Sequence, residues 1–148
     1  MSKPSERRQA RRFAVQAIYS WQINQIAPQQ IELHMLEDQD FKGCDTSYFQ
    51  QLLRGVVEQK DALDNLLKPT IHLKLEEIDP VELAILRMAA FEMKERLDVP
   101  YKVVINEALE QAKTFGATDG HKFVNGVLDK LARALRATEV AAKTRPQD

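Results

Sequence analysis

Between Val81 and Met93 the chain is apolar on almost every side of a helix, through Leu83, Ile85, Leu86, Met88, Ala89, Ala90 and Phe91. A helix without a wide polar face has to be buried all round. Asp79-Pro80 just before it is a helix start, a capping carboxylate followed by proline at the first helical position. The rest of the chain must therefore wrap this segment, and its own patterns say with what.

Ala10, Phe13, Ala14, Ala17, Ile18 and Trp21 recur at three- and four-residue spacing, which predicts an amphipathic helix with Ser5 as its N-cap. Pro28 opens a shorter helix carrying Ile31, Leu33, Met35 and Leu36, and Phe41 to Cys44 is read as a loop around Gly43. A further helix starts at Asp45 or Thr46 and runs through Phe49, Leu52, Leu53, Val56, Val57, Leu63, Leu66 and Leu67 until Lys68-Pro69 closes it. Gly55 within it is read as a site of close packing. After a short turn inside Thr70 to Ile78 and the buried helix, Pro100 opens another helix that ends at Gly116, and Thr118 or Asp119 starts the last one. Asn125-Gly126 also fits a hairpin turn. However, Val124, Val127, Leu128, Leu131 and Leu135 keep helical spacing through it, so Gly126 is read as a point where two helices approach closely.

These patterns predict an all-α protein of about six or seven helices in two helical halves. The N-terminal half covers 1–68 with a basic first helix, the C-terminal half 69–137, and a flexible tail 138–148. At 148 residues, 44% hydrophobic and 29% charged, the chain is long enough to bury a sizeable core. No apolar run approaches the roughly 18 residues that span a bilayer. The arginine-rich start leads into core-type positions rather than into a secretory or transit segment, so a cytoplasmic protein without membrane contact is expected.

Chemistry of the catalytic kind finds little to work with. His34, His72 and His121 are scattered, with no second ligand at metal spacing. The single cysteine, Cys44, stands near Asp40 and Asp45, which disfavour a thiolate. No phosphate-cradling glycine loop occurs. Neither enzymatic activity, a metal nor a cofactor is expected. The acidic pairs Glu76-Glu77 and Glu92/Glu95 are read as solvated faces.

The charge distribution is more informative than the net charge of −1. Lys3, Arg7, Arg8, Arg11 and Arg12 crowd the start, the stretch from Glu32 to Asp64 is mostly acidic, and Arg133, Arg136, Lys143 and Arg145 make the end basic again. On a helix, Arg8, Arg12 and Tyr19 fall near one side with Arg11 beside them. Arginines can fork onto phosphate and a tyrosine can stack on an unpaired base, although such a cluster also suits other anionic partners. A second cluster, Lys113, Phe115, Gly116, Asp119, His121, Lys122 and Phe123, straddles the last helix junction, where free backbone N–H groups favour anions. Its two phenylalanines fit a core as readily as a base-stacking surface.

The stretch Val99-Pro100-Tyr101-Lys102-Val103-Val104-Ile105-Asn106-Glu107-Ala108 leads to Ala112-Lys113-Thr114-Phe115-Gly116 and then to His121-Lys122-Phe123-Val124-Asn125-Gly126-Val127-Leu128-Asp129. With Arg7-Arg8-Gln9-Ala10-Arg11, the run Ala14 to Trp21 and Tyr48-Phe49, it resembles the NusB family of bacterial transcription antitermination factors over nearly the whole chain. The resemblance implies two packed helical bundles. It also implies binding of single-stranded boxA RNA of ribosomal RNA leaders together with NusE, a small-subunit ribosomal protein, in a complex assembled on RNA polymerase. By position it implies an RNA face of Arg7, Arg8, Arg11, Gln16, Tyr19, Lys113, Gly116, Asp119, Lys122 and Phe123. Glu77, Glu82 and Arg87 are the corresponding candidates for contact with the basic partner protein. Gly120 departs from the family pattern, where a larger polar residue is usual. A similar helical module accompanies certain RNA-modifying methyltransferases, but this chain has no room for their catalytic domain.

Overall fold

The structure, a computed structural model, describes residues 2–144, with side chains through 142. Eight α-helices follow one another among the described residues: α1 Pro4–Asn24, α2 Pro28–Asp38, α3 Thr46–Glu58, α4 Lys60–Leu67, α5 Pro80–Glu95, α6 Tyr101–Phe115, α7 Gly120–Leu135 and α8 Ala137–Thr144. Short 3-10 turns at Lys68–Thr70 and Leu75–Glu77 link α4 to α5. The all-α expectation holds, with more helices than expected, for two reasons. The helix foreseen from Asp45 to Leu67 breaks at Gln59, whose backbone leaves the helical region between α3 and α4. The second reason is α8, in a stretch read from sequence as tail. Glu139 accepts from the Tyr101 backbone N–H and from the Arg136 guanidinium, both at 2.7 Å, and Val140 packs partly buried against the core. The remainder of that tail, 145–148 with Arg145, lies outside the described residues.

Helix starts follow the local chemistry. Asp45 Oδ1 accepts from Tyr48 N at 3.0 Å, and Asp79 Oδ1 from Val81 N at 2.8 Å and Glu82 N at 3.3 Å. At the first helix the cap is Lys3 and not Ser5, because Pro4 takes the first helical position and the Glu6 carboxylate reaches back to the Lys3 N–H at 2.7 Å.

Helix α5 is the centre. It packs on α1, α3, α4, α6 and α7, and every residue from Glu82 to Met93 is buried. Each fully buried Leu, Ile or Met contributes roughly 1.5–3 kcal/mol of apolar burial, and one continuous apolar core joins α5 to both ends of the chain. Gly55 of α3 is where α5 comes closest: a Cβ there would lie 2.1 Å from the Phe91 ring. Gly126 is the reverse of its expectation. It is exposed on α7 with open space where a side chain would stand, so no helix crosses there.

A helix enclosed on all sides has no outer face for its charges. Arg87 forks onto Asp64 of α4 at 2.9 and 3.0 Å and donates to Gln22 at 2.9 Å. Glu92 receives Arg11 of α1. Glu82 lies against Gly120, whose missing side chain leaves room for its carboxyl.

Candidate nucleic-acid interface

Helix α1 turns Ala10, Phe13, Ala14, Ala17 and Ile18 inward. At 100° per residue, Arg8, Tyr19 and Arg12 then lie within about 40° of one another on the opposite side. All three are exposed. Gln16 is half-buried at the margin of this strip.

Arg11 is only about 60° round from Arg8, yet it is 2% exposed. The rotation carries it under α5, where its Nε and Nη2 donate to the two Glu92 oxygens at 2.8 Å each, with Glu107 3.8 Å away. Its place on the RNA face is therefore corrected: it is an interior residue whose donors already have partners. Burial opposes the charge, but the Glu92 hydrogen bonds and the charges of Glu92, Tyr48 and Glu107 outweigh it and hold the guanidinium pKa above the ordinary value. Tyr48 of α3 closes the arrangement, its hydroxyl donating to Glu92 Oε2 at 2.6 Å. The Tyr48 ring meets Arg7 at 4.6 Å, Arg96 at 4.8 Å and Arg11 at 5.5 Å, within cation–π range. Burial, then the adjacent Glu92 charge and hydrogen bond, push the phenol well above its usual pKa. Arg7 is thus half-buried between this ring and Asp98, 4.0 Å away.

The reading of Glu92 as part of a solvated acidic face is corrected, since it is 1% exposed; with Tyr48 and Glu107, which sequence reasoning gave no such role, it decides which arginines reach solvent. The signal for Glu92 was present: a carboxylate in a helix with no polar face has to meet a cation inside.

Helix α6 packs on α1 and α7, and of the second cluster it brings Lys113 to the first. Arg8 and Lys113 line one groove of about 390 Å³, together with Val103, Asn106, Glu107 and Glu110. Gly116 caps α6 in an extended conformation, and glycine is required because a Cβ would stand 2.7 Å from the Ala112 carbonyl oxygen. Asp119 precedes α7 without capping it; its exposed carboxylate faces Lys122 Nζ at 3.4 Å. Phe115 and Phe123 are both half-buried against the core, each keeping part of its ring exposed.

The three partner candidates separate. Glu77 is exposed, its carboxylate accepting from the Lys74 N–H at 3.3 Å. Glu82 and Arg87 are 8% and 6% exposed, because α5 is enclosed, so neither offers a free charged face as expected. Burial, then the nearby Asp79 charge, raise the Glu82 pKa. Arg87 and Asp64 form part of the wall of a cleft of about 1130 Å³ between the end of α1, α4 and the start of α5, whose apolar lining includes Trp21, Ile26 and Leu75.

Among the described residues no group of His, Cys, Asp and Glu is arranged to hold a metal, and no helix is long and apolar enough to cross a membrane. Burial, then Asp45 and Glu6, push the Cys44 thiol up to about 11.

The NusB family model matches residues 8–133. A transcription antitermination protein NusB of Pasteurella multocida (strain Pm70) is 56% identical over 133 residues, 90% of this chain and 92% of that protein. The namesake in Alcanivorax borkumensis is 55% identical over 147 residues, 99% of this chain and 97% of that protein. Among solved structures, T. maritima NusB superposes with a TM-score of 0.81 at 28% identity, over 95% of this chain and 99% of that one. A complex of the antitermination factors NusB and NusE with double-stranded RNA contains a chain that matches at TM-score 0.78 and 22% identity, over 89% and 99%, a likeness of fold.

Proposed function

Because the chain belongs to the NusB family, and so is a transcription antitermination factor rather than an enzyme, we propose that it binds a single-stranded boxA-type RNA of ribosomal RNA leaders together with the ribosomal protein NusE. The pair then helps assemble an antitermination complex on RNA polymerase in the cytoplasm. The observation that carries this reading is the exposed strip Arg8, Arg12 and Tyr19 on α1, beside Lys113 in one groove with Arg8.

Arg8, Arg12, Lys113 and Lys122 hold phosphates, Arg12 with a planar fork, Arg8 through the side of its guanidinium that Glu107 leaves open, and the lysines as point charges. Tyr19 offers a flat ring for an unpaired base, and the exposed part of Phe123 offers another at the start of α7. Arg7 and Gln16, both half-buried, border the strip; Gly116 and Asp119 shape the junction. Arg11 acts from inside by fixing the rotation of α1. The partner protein lies against the end of α1 and the start of α5. Glu77 is its exposed acidic contact there, while Glu82 and Arg87 hold the shape of that side. The solved complex of NusB and NusE contains double-stranded RNA, so the strandedness of the preferred RNA belongs to the test.

The test is fluorescence anisotropy of a labelled boxA-like single strand, its scramble and the corresponding duplex, titrated with the protein alone and with NusE. Selective binding of the single strand, tightened by NusE, is the expected result. Equal affinity for all three RNAs in both titrations overturns the reading.

A further inference from the structure

The groove between α1 and α6 has an unusual charge balance for a surface that meets RNA. Its two cations, Arg8 and Lys113, are matched by two carboxylates, Glu107 and Glu110. Glu107 is 7% exposed and accepts from Arg8 Nε at 2.9 Å and Nη2 at 3.3 Å. Glu110 stands three residues further along α6, exposed on the groove wall. The Arg8 side chain is 59% exposed and that of Glu107 9%, so the arginine needs no internal partner to remain charged, whereas the buried carboxylate depends on its cations. A phosphate arriving in the groove meets Arg8 with its donors already turned to a carboxylate and a second carboxylate close by.

We propose that Glu107 and Glu110 limit how strongly this groove holds a nucleic-acid backbone, so that phosphate contact alone does not retain non-cognate RNA. This rests on the RNA-binding reading above. Phosphate attraction is common to all sequences and dominates non-specific binding. Two carboxylates that offset it leave base contacts elsewhere on the face to decide which RNA stays.

Glu110→Gln on the full chain tests this, because the residue is exposed and its removal leaves the core untouched. With a scrambled single-stranded RNA as probe, one carboxylate fewer is equivalent to about one more phosphate neutralised. The plot of log affinity against log salt steepens by about 0.7, and binding near 0.1 M salt tightens about fivefold. Glu107→Gln moves both quantities in the same direction, with urea unfolding run alongside to verify the folded state. A residue with a merely structural role gives weaker binding and an unchanged salt slope. Unchanged or weaker binding of the scramble by Glu110→Gln, or a loss confined to the boxA-like RNA, overturns the inference. If the parent protein binds neither RNA, the functional reading falls and this one with it; if the parent is selective and the variant identical to it, only this one falls.

Discussion

Arg7, Arg8 and Arg11 lie within five residues of α1, and their surroundings give them three different tasks. Arg8 meets solvent, Arg7 lies half-buried over an aromatic ring, and Arg11 neutralises a carboxylate inside the core. Arg11→Ala leaves Glu92 buried without its cation and is expected to destabilise the fold by about 3–5 kcal/mol in urea unfolding. Any loss of RNA binding in that variant then follows the unfolded fraction. Arg8→Ala leaves Glu107 with only the Arg11 guanidinium at 3.8 Å and is expected to lower the unfolding midpoint less than Arg11→Ala does, while weakening RNA of every sequence and flattening the salt slope by about 0.7 for a single strand. A midpoint shift in Arg8→Ala as large as that in Arg11→Ala would contradict this assignment. The sequence marks the cluster but cannot separate its members, because the distinction is some 60° of helix rotation and the identity of what packs there. Tyr19 and Lys113 could be placed from the sequence, since both keep part of their side chains in solvent.

At the level of elements, legibility depended on whether a boundary has its own chemistry. The starts of α3 and α5 carry aspartate caps, and both were placed to within a residue. The break between α3 and α4 falls at Gln59, where neither glycine nor proline announces it, and α8 is held in part by polar clamps that no apolar stripe reveals. The two helical glycines behave oppositely for the same kind of reason: whether another element comes close is a tertiary fact. Gly55→Ala forces a methyl into the Phe91 ring, and overpacking of this sort destabilises by about 1–3 kcal/mol. Gly126→Ala puts the same methyl in open solvent on a helix, which stabilises by about 0.5–1 kcal/mol. Thermal denaturation of the two variants should move the midpoint in opposite directions, and a shared direction would mean that α3 and α5 do not meet as described.

Over the whole molecule, the enclosed helix foreseen from the stretch after Asp79-Pro80 organises everything else, and it is secured near its end from far along the chain. Arg136, buried at the end of α7, donates to the carbonyls of Met93, Arg96 and Val99 at 3.0 Å each and to Glu139 at 2.7 Å. It thereby satisfies the Met93 carbonyl in the last turn of α5 and ties down the Arg96 and Val99 carbonyls of the link that follows. Arg136→Met keeps the bulk and removes the donors. It is expected to lower stability by about 3 kcal/mol and to speed amide hydrogen exchange around residues 96–104; protection there equal to the parent's would remove Arg136 from this role. Chains are synthesised from the N-terminus, so both the Arg11–Glu92 pair, 81 residues apart, and the Arg136 clamp join early segments to late ones. Helices α2 and α3, which pack on α1, are made before Glu92 is, so during that interval the α1 stripe has neighbours while the Arg11 guanidinium still lacks its carboxylate. Until Glu92 arrives that guanidinium is open to a competing anion, and the folded protein closes it off.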